Sequence, residues 1–151
     1  MTKIETLFIE KTRLLQTLLE CIRTYRDRLS PKSESAQNAT PDEKLEWVDN
    51  LTSEREGAFR MLQVLDQQIE MEKMLMEPST LEKLQGTPSF QQSVEQIIQL
   101  GKEIQLTDQS LFLYIQNMGF ELRAQILKGL KEKEALSKFK SQIQTATGEG
   151  L

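Results

Sequence analysis

Residues 40–76, TPDEKLEWVDNLTSEREGAFRMLQVLDQQIEMEKMLM, decide the fold. Thr40-Pro41-Asp42-Glu43 opens the stretch as a helix start: a hydroxyl at the N-cap, a proline at the first helical position and an acid three residues after the cap. Leu45, Val48, Leu51, Phe59, Leu62, Leu65, Ile69 and Met76 then recur at helical spacing, with charged and amide side chains between them. Nothing in the stretch alternates as a strand would. Trp47 falls off the main line and is expected to cover a loop, and Gly57 costs up to about 1 kcal/mol relative to Ala. Met71, Met74 and Met76 read as adaptable filler at the helix end, with a promiscuous binding face as the less favoured alternative.

Before this helix, SPKSESAQNAT (residues 30–40) is polar and reads as a flexible loop. It follows a first helix over about Thr2–Leu29, with Thr2 and Glu5 as a capping box and Ser30-Pro31 as the stop. The stripe of this helix is Ile4, Phe8, Leu15, Leu18, Ile22, Tyr25 and Leu29; Leu7, Leu14 and Leu19 widen it enough to meet two partners. After residue 76, Pro78 breaks the chain, Ser79 and Glu82 suggest a short helix ending at Gly86, and Thr87-Pro88 caps a third long segment. That segment has no proline from Pro88 to about Ile143. Its stripe is Phe90, Val94, Ile97, Ile104, Leu111, Ile115, Met118, Leu122, Ile126, Leu130, Leu136, Phe139 and Ile143, with Gly101, Gly119 and Gly129 as weak points. Asp108 stands at a stripe position, where it either sets register or marks an exposed kink.

The fold class expected is therefore all-α: an elongated antiparallel bundle of three long coiled-coil-like helices, with a short helix before the third. A single domain over residues 1–151 is expected, with a frayed tail at 146–151. Leu18, Ile22, Leu62, Leu65, Ile97 and Leu111 are expected to be among the most buried side chains.

Composition narrows the function. Hydrophobic residues are 38% and aromatics 6%, which suits a thin seam between helices better than a thick core. A net charge of −4 argues against nucleic acid or an anionic membrane as the main partner, although basic residues prevail in 1–32 and 121–140 and acidic ones in 42–83. The chain has no histidine and one cysteine, Cys21. A disulfide framework, a Cys-rich zinc site and the commonest general base are thereby excluded. No phosphate loop or nucleophile elbow occurs, and the acid pairs Glu54/Glu56 and Glu70/Glu72 read as solvated. No catalytic, cofactor-binding or metal-ligating residue is assigned, no cofactor is expected, and an enzyme is the least favoured class. No apolar run approaches the ~18 residues of a membrane span, and no charged-then-apolar leader opens the chain. A cytoplasmic location is the expectation, in which Asn38-Ala39-Thr40 and Asn50-Leu51-Thr52 are chance matches to a glycosylation motif.

Helix length suggests where a partner would dock. At about 1.5 Å per residue the three long helices run to roughly 40, 55 and 85 Å. A hairpin of the second and third uses the third only to about Ala124, leaving Gln125–Ile143 over. The apolar face there holds Leu122, Ile126, Leu127, Leu130, Leu136 and Phe139, flanked by Lys128, Lys131, Lys133, Lys138 and Lys140. Partner binding is the favoured use of that face, ahead of homodimer packing and of fraying or folding back.

The stretch Leu111–Phe139, LFLYIQNMGFELRAQILKGLKEKEALSKF, resembles the C-terminal helix of the FlgN/FliT-type flagellar export chaperones. Leu122-Arg123, Ile126-Leu127, Gly129, Lys131, Ala135-Leu136 and Phe139 stand at the matching places, with Phe139 where the family usually has a tyrosine. Leu51–Ile69, LTSEREGAFRMLQVLDQQI, is similar to that family's second helix, while the loop at 30–40 is longer than the family's. The resemblance implies a chaperone of the flagellar type III secretion pathway. Its partners would be the amphipathic C-terminal helices of hook-associated or cap subunits, which it keeps from assembling early, and then the export apparatus. The competing expectation is a structural coiled-coil adaptor or oligomeric rod subunit.

Overall fold

A computed structural model describes the backbone of residues 1–147 and the side chains of residues 1–124, 127 and 128. The chain is 90% helix with no strand among the described residues. Five helices follow in order: α1 (Lys3–Leu29), α2 (Glu34–Asn38), α3 (Pro41–Leu75), α4 (Pro78–Gln85) and α5 (Pro88–Thr147). The three long segments and the short helix after Pro78 stand where the periodicity puts them. The stretch expected to be a flexible loop differs: Ser33 caps a single helical turn, accepting from the Ala36 N–H at 3.0 Å, and Ala36 is buried. Helix α5 also runs through Thr147, into the stretch expected to fray, whose remainder lies outside the described residues.

Local chemistry sets the helix ends. Thr2 Oγ1 accepts from the Glu5 N–H and Thr40 Oγ1 from the Glu43 N–H, each at 3.2 Å, so both capping residues satisfy a backbone donor that no helical carbonyl can reach. Thr87 behaves otherwise. Its hydroxyl donates back to the Leu84 carbonyl at 2.7 Å, closing the end of α4, and α5 starts on Pro88.

The chain forms two compact units, Met1–Tyr114 and Ile115–Leu151. In the first, α1 packs along α3, antiparallel to it, as the pairs Lys3–Glu72 and Lys11–Asp66 show. The early part of α5 joins them through side chains: Phe8 meets Phe90 edge to face at 4.9 Å, Arg23 pairs with Glu103, and Arg55 pairs with Asp108. Ile4, Leu84 and Phe90 form a buried cluster at the end where α4 turns the chain, with Phe8, Met76, Leu81 and Val94 against it.

The buried seam consists of Leu15, Leu18, Leu19, Ile22 and Leu29 of α1, Leu51, Leu62 and Ile69 of α3, and Leu100, Ile104, Thr107 and Leu111 of α5. Leu65 and Ile97, expected at the centre, are only half-buried, and Leu45 and Phe59 are exposed. A straight 3.6-residue helix drifts against a 3.5-residue stripe, so one stripe over 35 residues cannot stay on the seam throughout. Thr107 enters the seam because its hydroxyl donates to the Glu103 carbonyl at 2.7 Å, which removes the cost of burying it.

Candidate docking faces

The six residues expected to bind a partner all lie on α5, in the second unit. Leu122 is half-buried and Leu127 is 59% exposed. The side chains of Ile126, Leu130, Leu136 and Phe139 lie outside the described residues. So does the stretch from Gln125 to Ile143 as an unpaired face, apart from Leu127 and Lys128. Phe120, which the single-stripe reading passed over, is 59% exposed on the same helix.

The first unit carries apolar surface that the sequence reading did not assign. Met61, Val64, Met71 and Leu75 of α3 are all more than half exposed, as are Leu106, Phe112 and Leu113 of α5. Met71 and Met74, read as filler, instead stand 63% and 82% exposed, and only Met76 of that trio packs inward. Scattered single exposures are ordinary, but residues recurring on one helix side are not. The signal was present in the sequence. Residues 61, 64, 71 and 75 keep the 3/4 spacing of a second stripe, hidden because Gln68 interrupts it.

Polar contacts hold these helices in register. Glu54, expected to be solvated, accepts from the Cys21 thiol at 2.8 Å and the Tyr25 hydroxyl at 3.4 Å. Partial burial, reinforced by the Glu54 carboxylate, pushes the Cys21 thiol up to about 12; burial and Glu54 also raise the Tyr25 phenol. A thiol so held stays protonated at neutral pH and is a poor nucleophile. Glu72 is likewise drawn from solvent, pairing with Lys3 at 3.1 Å. Asp108 faces α3: it accepts from Arg55 Nη2 at 2.6 Å, and the guanidinium lies over Phe59. Burial raises the Asp108 carboxyl above its ordinary value in spite of Arg55. The Arg28 guanidinium lies 5.4 Å from the centres of both the Tyr25 and Trp47 rings, so Trp47 stands at the end of α1.

Among the described residues no group of three or more acids and cysteines is arranged to hold a metal ion, and no helix is long and apolar enough to cross a membrane. No known protein family matches this chain, and no curated protein or solved structure shows significant similarity to it.

Proposed function

We propose that this protein is a cytoplasmic, non-enzymatic export chaperone of the FlgN/FliT type. It binds the amphipathic C-terminal helices of flagellar hook-associated or cap subunits, prevents their premature assembly and passes them to the export apparatus. Leu122, Ile126, Leu127, Leu130, Leu136 and Phe139 form the docking face. The observation that carries this reading is Leu127, a large apolar side chain standing 59% exposed on α5 within the stretch Leu111–Phe139 that resembles the family. An exposed leucine on a helix flanked by lysines gains by docking against another helix what it does not gain within the chain.

Replacing Leu130 and Phe139 with Asp tests the reading. Cargo captured by the wild-type chain from flagellated cells should be lost by the variant, because a carboxylate on a closed apolar face costs several kcal/mol. The helices of the first unit should melt as before. Retention of every captured cargo subunit would overturn the assignment of the face.

A second reading is a coiled-coil adaptor or rod subunit. It is favoured by Leu106, Leu113, Phe120 and Leu127, exposed residues that recur every seven positions in α5. Sedimentation at graded concentrations separates the two, since a rod subunit stays oligomeric on dilution.

A further inference from the structure

We infer that the exposed stripe of α3 is where a second copy of this chain docks, antiparallel, about a two-fold axis beside Asp66. The face lies within Met1–Tyr114 and uses none of the α5 residues of the two readings above. Gly57, Met61, Val64, Gln68, Met71 and Leu75 are all exposed and follow one another at steps of 4, 3, 4, 3 and 4. They run about 27 Å at 1.5 Å per residue. Beside them, Leu14 of α1 and Leu65 of α3 floor a cleft of about 460 Å³ that Met61 and Val64 also line.

The spacing of the stripe reads the same in both directions, so a copy turned end over end lays the stripe on itself. The layers are then Gly57 with the partner's Leu75, Met61 with the partner's Met71, and Val64 with the partner's Gln68, each made twice by symmetry. Sizes fit as well as positions. A Cβ added at Gly57 would meet nothing within 4 Å in its own chain, so no packing there explains a residue that costs a helix interior about 1 kcal/mol. Leu75, 77% exposed, finds room over that missing side chain. The partner's Met71 has the flexible stem to enter the cleft at Met61. A stripe about 27 Å long and about 10–12 Å wide has a footprint of about 300 Å² on each copy. That is well below the about 800 Å² of a stable partner surface, so the dimer forms reversibly with concentration.

Charge favours a second copy over a helix flanked by one sign. On the far flank Arg60 is answered within its own helix by Glu56, at 3.9 Å. On the α1 flank Glu10 and Arg13 both line the cleft, and neither makes an ion pair among the described residues. The Lys11–Asp66 bond, 2.7 Å long, sets them beside residue 66, which is midway between Gly57 and Leu75 and therefore marks the axis. Because α1 runs antiparallel to α3, reversal brings Arg13 level with the partner's Glu10, and Glu10 level with the partner's Arg13. A helix flanked by acids would answer Arg13 and repel Glu10, and one flanked by bases would do the reverse. A second copy answers both.

Sedimentation velocity on the full chain, from about 1 µM to about 1 mM, should show a reversible monomer–dimer equilibrium. Val64→Asp should weaken it by about tenfold or more, because the layers next to the axis then bury a carboxylate. Val64 is 52% exposed, so this variant should melt with the wild type; Met61→Glu, at 60%, serves if it does not. Arg13→Glu and Glu10→Arg should each weaken self-association, since like charges then meet across the axis. Mixed in equal amounts, these two variants should associate as the wild type does, because every pair between them is again an acid with a base. No rearrangement within one chain produces that recovery. Leu113→Asp on α5, and the Leu130→Asp, Phe139→Asp variant, should dimerise unchanged, which keeps this result apart from the rod and chaperone readings. A chain monomeric to about 1 mM overturns the inference and gives the face to another polypeptide. So does a dimer that survives both Val64→Asp and Met61→Glu, a dimer that Leu113→Asp abolishes, or a mixture that associates no better than its parts.

Discussion

Removing the Arg55–Asp108 pair one side at a time, and then together, should give a non-additive result. Arg55 Nη2 and Asp108 Oδ2 lie 2.6 Å apart, with side chains 34% and 26% exposed. The pair is thus neither an exposed ion pair, worth up to about 1 kcal/mol, nor a sealed one, whose disruption costs about 3–5 kcal/mol. Asp108→Ala leaves the guanidinium half-buried without its counter-charge, while its Nε already lies buried without an acceptor. A cost of about 1–3 kcal/mol is expected. Burial outweighs Arg55 at the Asp108 carboxyl, so the ionised pair gains little over its own desolvation. Arg55→Met with Asp108→Leu should therefore fall within about 1 kcal/mol of the wild type. The same raised carboxyl fixes a pH slope. The folded state holds the Asp108 proton at a higher pH than the unfolded chain does. This group's contribution to stability therefore falls as pH rises from the ordinary carboxylate value through its raised one, and recovers as pH falls. Urea unfolding followed by circular dichroism measures all of this, with Asp108→Asn as the variant that lacks the slope. A double variant that loses as much as the two singles added together would show the pair to be uncoupled, and α5 would be held to α3 by apolar contacts alone.

Ile22, fully buried, should cost about 2–5 kcal/mol on replacement by alanine, whereas Leu106→Ala, at a position 64% exposed, should change stability by about 0.5 kcal/mol or less; thermal melts compare the two. Thr40→Ala removes the acceptor for the Glu43 N–H and should cost about 0.5–2 kcal/mol by the same measurement. Cys21, with its thiol pushed up to about 12, should react with iodoacetamide at pH about 8 far more slowly than a free cysteine, and Glu54→Gln should speed the reaction; labelling followed by mass spectrometry decides.

The long helices were legible because their punctuation is chemical. Thr40-Pro41-Asp42-Glu43 names an N-terminus by the bonds its side chains can make, and Ser30-Pro31 and Pro78 name stops by the bonds they cannot. Ser33 carried the same signal for α2, but a polar run around a single turn looks like any loop. Which face meets which was less legible. A helix that touches two neighbours has two apolar stripes, and one that drifts exchanges them, so Leu65 lies at the seam's edge while Leu51 is sealed. Glu54 looked solvated because its partners, Cys21 and Tyr25, stand 33 and 29 positions away in the sequence. Of the six residues assigned to the docking face, the helix they share was legible from periodicity. The exposed stripe of α3 that includes Val64 was not, because an amide at Gln68 splits it.

The placement of Arg28 beside Tyr25 and Trp47 gives the protein an optical reporter of its own. Trp47 is the only tryptophan, so the emission of the whole chain comes from the place where the last turns of α1 lie beside the first turns of α3. A guanidinium 5.4 Å from the indole ring fixes the ring's surroundings only while the two helices stay together. Parting them exchanges that cation for water, which moves the emission to the red even if both helices keep their backbone hydrogen bonds. Fluorescence and circular dichroism thus watch different events in this chain, the opening of one helix pair and the melting of all helices. The interval between the two signals on a denaturant axis measures how far this end of the hairpin opens before the helices themselves are lost.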